Sequence, residues 1–166
     1  IDFDKLKKMI RANIEKSEKS YDENLINQIV AEINDTLSLP IIRNNLHLML
    51  NSETEITFML PFSDEILLAQ IDMLFKNSEG EHEIWDWKTN KIGNGSVADL
   101  AAKYEAQMQF YSLIMMKRYP DQKNYVSRLI FTKAAKDNED NAVHSRVWSA
   151  EELLEFETQL KNDIAK

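Results

Sequence analysis

The chain contains no cysteine, and only three glycines and three prolines among its 166 residues. Without cysteine there is no disulfide, no thiolate-held zinc and no iron–sulfur cluster. No apolar run reaches the roughly 18 residues of a membrane helix, and the N-terminus lacks a signal-peptide pattern, so the expected compartment is the cytoplasm. The glycine pattern of a P-loop is missing, which means ATP hydrolysis cannot be located here. Basic residues are scarce as well: 20 Lys and Arg against 28 Asp and Glu give a net charge of −8. Duplex binding rests on phosphate neutralisation, and a domain with its own affinity usually shows a basic face, which this composition does not advertise. A domain tethered to a DNA motor escapes that requirement, because the tether supplies effective concentration.

What is present suits one core. At 43% hydrophobic residues the chain is long enough for a single domain and too short for two. Apolar positions at helical spacing (Phe3, Leu6, Met9, Ile10 and Ile14, then Leu25, Ile26, Ile29, Val30 and Ile33) predict helices over 3–17 and 23–37. A short helix follows Pro40, which a first turn accepts. Strands are expected from Thr54 to Leu60, ending at Pro61, and over 65–76 and 82–89, with a loop from Asn90 to Gly95. A long helix runs from Val97 to Arg118 and stops before Pro120. Tyr125–Lys133 and Val143–Trp148 read as strands around a charged turn, Lys136 to Asn141. Ser149 and Glu152 form a capping box for a last helix carrying Leu153, Leu154, Phe156 and Leu160. The fold class is α/β with a mixed central sheet: a helical segment (1–50), the sheet and core helix (54–148) and a C-terminal helix (149–165) in one domain, 1–166.

Three charges interrupt this pattern. Asp72 in Gln70-Ile71-Asp72-Met73-Leu74-Phe75, and Asp86 and Lys88 in Ile84-Trp85-Asp86-Trp87-Lys88-Thr89, lie inside β-prone apolar runs, which normally exclude charge. Asp86 and Lys88 share one face of their strand, with Trp85 and Trp87 on the other. Asp72 and Asp86 are equidistant from Glu79 in the turn, so a symmetric hairpin opposes the two carboxylates with Cβ atoms about 5 Å apart, where like charges repel. A divalent cation between them turns repulsion into binding. Hard oxygen ligands favour Mg²⁺, or Mn²⁺ as its substitute, over zinc. Taken singly, a solvated carboxylate or an ion pair with Lys88 accounts for Asp72, and an alternating strand with a wet face accounts for Asp86 and Lys88.

In the long helix Leu100, Tyr104, Met108, Tyr111 and Met115 define a buried stripe. Gln107 falls inside it, one turn from Tyr111, and a buried amide must find partners. A backbone carbonyl serves that need as well as a functional site does.

Asp72, then Asp86-Trp87-Lys88-Thr89, then Gln107-Met108-Gln109-Phe110-Tyr111 resemble the G-x-I-D, D-Y-K-T and Q-x-x-x-Y motifs of the RecB-like branch of the PD-(D/E)XK nucleases. Within that branch the match is closest to the C-terminal nuclease domain of AddA-type helicase-nuclease subunits. It runs from Glu55 to Tyr111, about a third of the chain, with Ala69 in place of the usual glycine and Trp87 in place of the usual tyrosine. The resemblance implies a restriction-endonuclease-like fold and a Mg²⁺-dependent exonuclease acting on DNA strands fed by a helicase, in double-strand break processing and recombinational repair. It further implies Asp72, Asp86 and the Trp87 carbonyl as metal ligands, Lys88 as the residue that orients water or stabilises charge, and Gln107 and Tyr111 as lining the site. Some relatives carry a cysteine-held cluster, which this chain cannot.

Glu55 resembles an acidic residue of the preceding strand in that family, and an exposed strand-end glutamate explains it equally. His47, His82 and His144 are not assigned to metal. The family usually supplies a histidine ligand from an upstream helix. None stands at that spacing here, and a helix already starts at Phe3, so a fragment of a longer helicase-nuclease that folds but binds metal weakly and cleaves DNA poorly or not at all is expected. The rival readings are a catalytically silent module that binds DNA or a partner, and a stand-alone exonuclease of viral alkaline or CRISPR-adaptation type; the missing cysteines argue against the last.

Overall fold

β-branched and aromatic runs from residue 53 to residue 148 form one five-stranded sheet. In the computed structural model, which describes residues 2–16, 22–62, 65–90, 96–136 and 142–164, its strands lie in chain order. They are β1 (Glu53–Phe62), β2 (Glu65–Lys76), β3 (His82–Lys88), β4 (Tyr125–Phe131) and β5 (Val143–Trp148). All neighbours are antiparallel except β3 and β4, which are parallel. Helices α1 (Phe3–Lys16), α2 (Glu23–Ser38) and α3 (Pro40–Met49) precede the sheet. The crossover from β3 to β4 holds α4 (Val97–Ala101), a 3₁₀ turn (Ala102–Tyr104) and α5 (Glu105–Arg118), and α6 (Ala150–Ile164) closes the chain. Leu39 and Ile42 pack with Phe75 and Trp85 on one side of the sheet. Leu113, Met115 and Leu153 pack with Ile71, Leu74 and Ile84 on the other. The result is the expected α/β architecture with a mixed sheet.

Several expectations need correcting. Pro61 does not end β1; it pairs with Ile66 inside the ladder, and β1 tolerates it because, among the described residues, its other edge has no partner strand. The long helix is broken at Ala102–Tyr104, where Tyr104 leaves helical geometry (φ −108°, ψ 2°) before α5 begins. Nor is the apolar surface of α5 a stripe: residues 111–116 are all buried, because α6 covers the side that the sheet does not. β4 ends at Phe131, followed by a 3₁₀ turn over Thr132–Ala134. In α6 Leu154 is exposed, while Glu157 is buried and held by Lys117 and Lys161. The capping box forms as expected, with Ser149 N–H donating to Glu152 at 2.8 Å and Glu152 N–H to Ser149 at 3.2 Å. Residues 91–95 of the expected loop and 137–141 of the charged turn lie outside the described residues.

The β2–β3 hairpin has the anticipated symmetry. Its ladder runs from Lys76↔His82 to Met73↔Trp85, with Glu79 at the centre. Asn77 shapes the turn by accepting the Glu79 and Glu81 amides, and Gly80 supplies the positive φ of 84°. Past Met73 and Trp85 the ladder stops. From there β2 pairs only with β1, while β3 pairs only with β4 as far as Lys88↔Phe131. The sheet therefore forks, and Asp72 and Asp86 are the first residues beyond the last shared pair.

Burial on β2 marks the same place. Ala69 and Ile71 join the α5–α6 cluster together with Leu74, whereas Met73 and Phe75 pack on the Trp85 side. Regular alternation puts all four odd-numbered residues on one face, so the pleat slips by one residue at Asp72. Across from it, Glu55 takes φ 52°, and the Glu55–Asp72 pair alone drops out of an otherwise continuous β1–β2 register.

Trp85 is fully buried, meets Phe75 edge-on at 5.1 Å and donates its Nε1–H to Glu83. Replacing it leaves a large cavity beside the fork. Trp85→Ala should cost about 3–5 kcal/mol of stability in urea denaturation, and a loss below about 1 kcal/mol would contradict this packing.

Candidate active site

At the fork the freed Trp87 N–H needs an acceptor, and Asp72 Oδ2 provides it at 2.8 Å. The expected face-to-face pair of carboxylates is thereby modified. The strands part where two like charges meet, and Asp72 turns into the opening to take the place of a strand carbonyl. Asp86, 2% exposed, stays on the face that looks toward α5, and Trp85 and Trp87 occupy the opposite face as anticipated.

Asp86 is the electrostatic centre. Burial pushes its carboxyl above the usual range, the Lys88 ammonium opposes that rise, and the Asp72 charge adds to it. Lys88 Nζ lies 2.6 Å from Asp86 Oδ2, yet that oxygen has no aligned hydrogen-bond donor. The ammonium comes from two residues along the same strand and answers the charge as a close ion pair.

Lys88 is held from other directions too. It donates to Gln107 Oε1 at 3.1 Å, and the Tyr104 ring lies 4.2 Å from its Nζ. Gln107 Nε2 in turn donates to the Tyr111 hydroxyl at 2.7 Å. Burial raises the Tyr111 phenol above its ordinary value, and the Asp86 and Asp72 charges add to the rise against the Gln107 hydrogen bond, so the hydroxyl stays protonated. The amide of Gln107 is half-buried and finds its two partners inside the site, not on the backbone.

Residues named from the sequence thus converge in part. Asp72, Asp86, Trp87, Lys88, Gln107 and Tyr111 form one connected group. Glu55 does not join it; its carboxylate is exposed and accepts from Gln70 at 2.8 Å. His82 stacks on Tyr119 at 3.6 Å and His47 is exposed. Tyr104 belongs to the group although its spacing assigns it to the helix stripe. Its pairing with Lys88 depends on the 3₁₀ turn, for which the sequence carries no signal.

Among the described residues no three Asp, Glu or His side chains gather closely enough to hold a metal unaided. The donor set nevertheless suits a hard cation that keeps several waters and needs only one or two carboxylates besides a substrate phosphate, as Mg²⁺ does. The specific feature that fits is Asp86 Oδ2, a buried carboxylate oxygen that Lys88 meets as an ion pair outside hydrogen-bond alignment. A mostly apolar cavity of about 440 Å³ lies on the Trp87 side of β3, between α2 and the Thr132 turn, and contains neither carboxylate.

The family model described as the PD-(D/E)XK nuclease superfamily matches residues 2–166. The chain belongs to that superfamily. Its mixed sheet flanked by helices is the restriction-endonuclease-like fold expected of a PD-(D/E)XK protein. Solved structures match as well. One of them, titled "Crystal structure of SSO0001", is 15% identical and covers 92% of this chain and 70% of its own, at a TM-score of 0.35. No curated protein matches.

The raised carboxyl of Asp86 gives a test without substrate. A folded-state value above the unfolded one means that its contribution is complete below the ordinary Asp range, about 3.9, and is lost as pH rises through the folded value. Near pH 7 the ionised group therefore destabilises the metal-free protein. Asp86→Asn should melt higher than wild type in EDTA at pH 7, with the gap closing as pH falls toward about 4. A lower melting temperature at pH 7 would make the Asp86–Lys88 contact a net structural ion pair.

Proposed function

We propose that the protein hydrolyses DNA phosphodiester bonds with Mg²⁺, or Mn²⁺ in its place, as a RecB-like nuclease module akin to that of AddA-type helicase-nucleases. The observation that carries this reading is the fork, where two carboxylates and a lysine of the Asp72 and Asp86-Trp87-Lys88 motifs meet Gln107 and Tyr111. The motif order and spacing support the RecB-like branch. With it come an exonuclease role in break processing, single strands delivered by helicase domains, and residues 1–166 as one nuclease module of a longer protein. The net charge of −8 favours a tethered module over a stand-alone exonuclease. No helix of the described residues is long and apolar enough to cross a membrane.

Asp72 and Asp86 would hold the ion, with the Trp87 carbonyl beside them. When bound there, such an ion would supply acidity to a water and neutralise charge on the phosphate. Asp72 does double service by fixing the Trp87 backbone through its N–H. Lys88, kept in place by Gln107, orients the attacking water or counters the transition-state charge. The protonated Tyr111 hydroxyl, accepting from Gln107, fixes the amide so that its oxygen faces the ammonium.

Cleavage of labelled single-stranded and duplex DNA, with Mg²⁺ and with EDTA, tests the proposal. Asp72→Asn, Asp86→Asn and Lys88→Ala should each lower metal-dependent cleavage at least about 100-fold. Mg²⁺ at about 100 times its Kd should raise the wild-type melting temperature by about 5–10 °C and leave Asp86→Asn unmoved. A wild-type protein that neither cuts nor responds to the ion would be the silent module instead.

A further inference from the structure

We infer that Tyr104 is a positioning residue for Lys88, a post that keeps the ammonium at the fork through its ring face; its part in catalysis rests on the nuclease reading above. An ammonium has three N–H bonds to satisfy. In Lys88 one direction is taken by Gln107 Oε1 at 3.1 Å, one by the off-axis contact with Asp86 at 2.6 Å, and the ring of Tyr104 closes the remaining side at 4.2 Å. The ring is itself fixed at both ends. Its hydroxyl donates to Asn90 Oδ1 at 2.9 Å, which ties it to the chain just beyond β3, and its body leans on Phe131 with centroids 6.5 Å apart. Phe131 pairs with Lys88 across the parallel β3–β4 ladder, so ring, cation and both strand ends form one closed arrangement.

The break in the helix gives this arrangement its backbone. Tyr104 is the last residue of the 3₁₀ turn and the N-cap of α5, with non-helical angles and no capping side-chain bond of its own. Tyr104 is half-buried against the same core cluster as Met108, one turn further along, so its body is anchored while its face is left for Lys88. A cation over an aromatic face is attracted without a fixed hydrogen-bond direction. Tyr104 can therefore keep hold of Lys88 while the ammonium N–H bonds re-aim toward a phosphate.

The test combines a spectroscopic and a kinetic arm. Ring currents shield protons above an aromatic face, so the ε-CH₂ protons of Lys88 should resonate upfield in the wild type. They should remain there in Tyr104→Phe and return to ordinary lysine positions in Tyr104→Leu, with amide spectra elsewhere unchanged. In cleavage assays Tyr104→Leu should lower kcat about ten-fold at constant KM, and Tyr104→Phe should restore most of it. Ordinary Lys88 shifts in the wild type, or equal kcat in Tyr104→Leu and wild type, would overturn the assignment. Absence of cleavage by the wild type with the Lys88 shift present would count against the nuclease reading and leave the ring–cation contact standing.

Discussion

The hydrogen bond from Trp87 N–H to Asp72 is the contact on which the site depends. Where β2 and β3 part, both strands lose ladder partners, and an unpaired buried N–H costs about as much as a lost hydrogen bond. A side-chain carboxylate fills that role here, which ties the fork to the chemistry. Asp72 caps the opening on the β3 side, and the opening lies beside both carboxylates. The slipped pleat on β2 and the positive φ of Glu55 are the backbone's accommodation of the same opening.

Two buried carboxylates on opposite faces of the sheet show how environment separates structure from chemistry. Glu83 is 7% exposed, and burial alone raises a carboxyl; Arg128, Trp85 and Asn77 nevertheless donate to it and bring it below its ordinary value. It is satisfied, and it braces the sheet. Asp86 is buried to a similar degree but has Lys88 alone against that burial and the nearby Asp72 charge, so its carboxyl is raised. An ionised group held in a setting that disfavours its charge is what a cation site requires before the cation arrives.

Much of this was legible in the residues. Alternation and turn chemistry located all five strands, and the symmetry about Glu79 set the hairpin register from Met73↔Trp85 to Lys76↔His82. Of the motif residues, Asp86, Lys88, Gln107 and Tyr111 are in contact in the structure, and Asp72 reaches the Trp87 N–H between Asp86 and Lys88. Hidden from the sequence were features that arise only when elements meet. The β2–β3 ladder ends past Met73 and Trp85 while each strand keeps the partner on its other edge, β1 for β2 and β4 for β3, a tertiary arrangement that no local pattern encodes. The break at Ala102–Tyr104 carries no glycine or proline to announce it. Glu55 resembles a family position yet bonds Gln70, because its positive φ turns it from the regular course of the strand.

The proposed chemistry requires a divalent ion between Asp72 and Asp86. Titration of the ¹⁵N-labelled protein with substoichiometric Mn²⁺, followed by amide line broadening, addresses it without substrate. The account predicts saturable broadening centred on Asp72, Asp86 and Trp87, weaker at Gln107, and reversed by excess Mg²⁺. Broadening spread over the acidic surface without saturation, or centred on other residues, would contradict it.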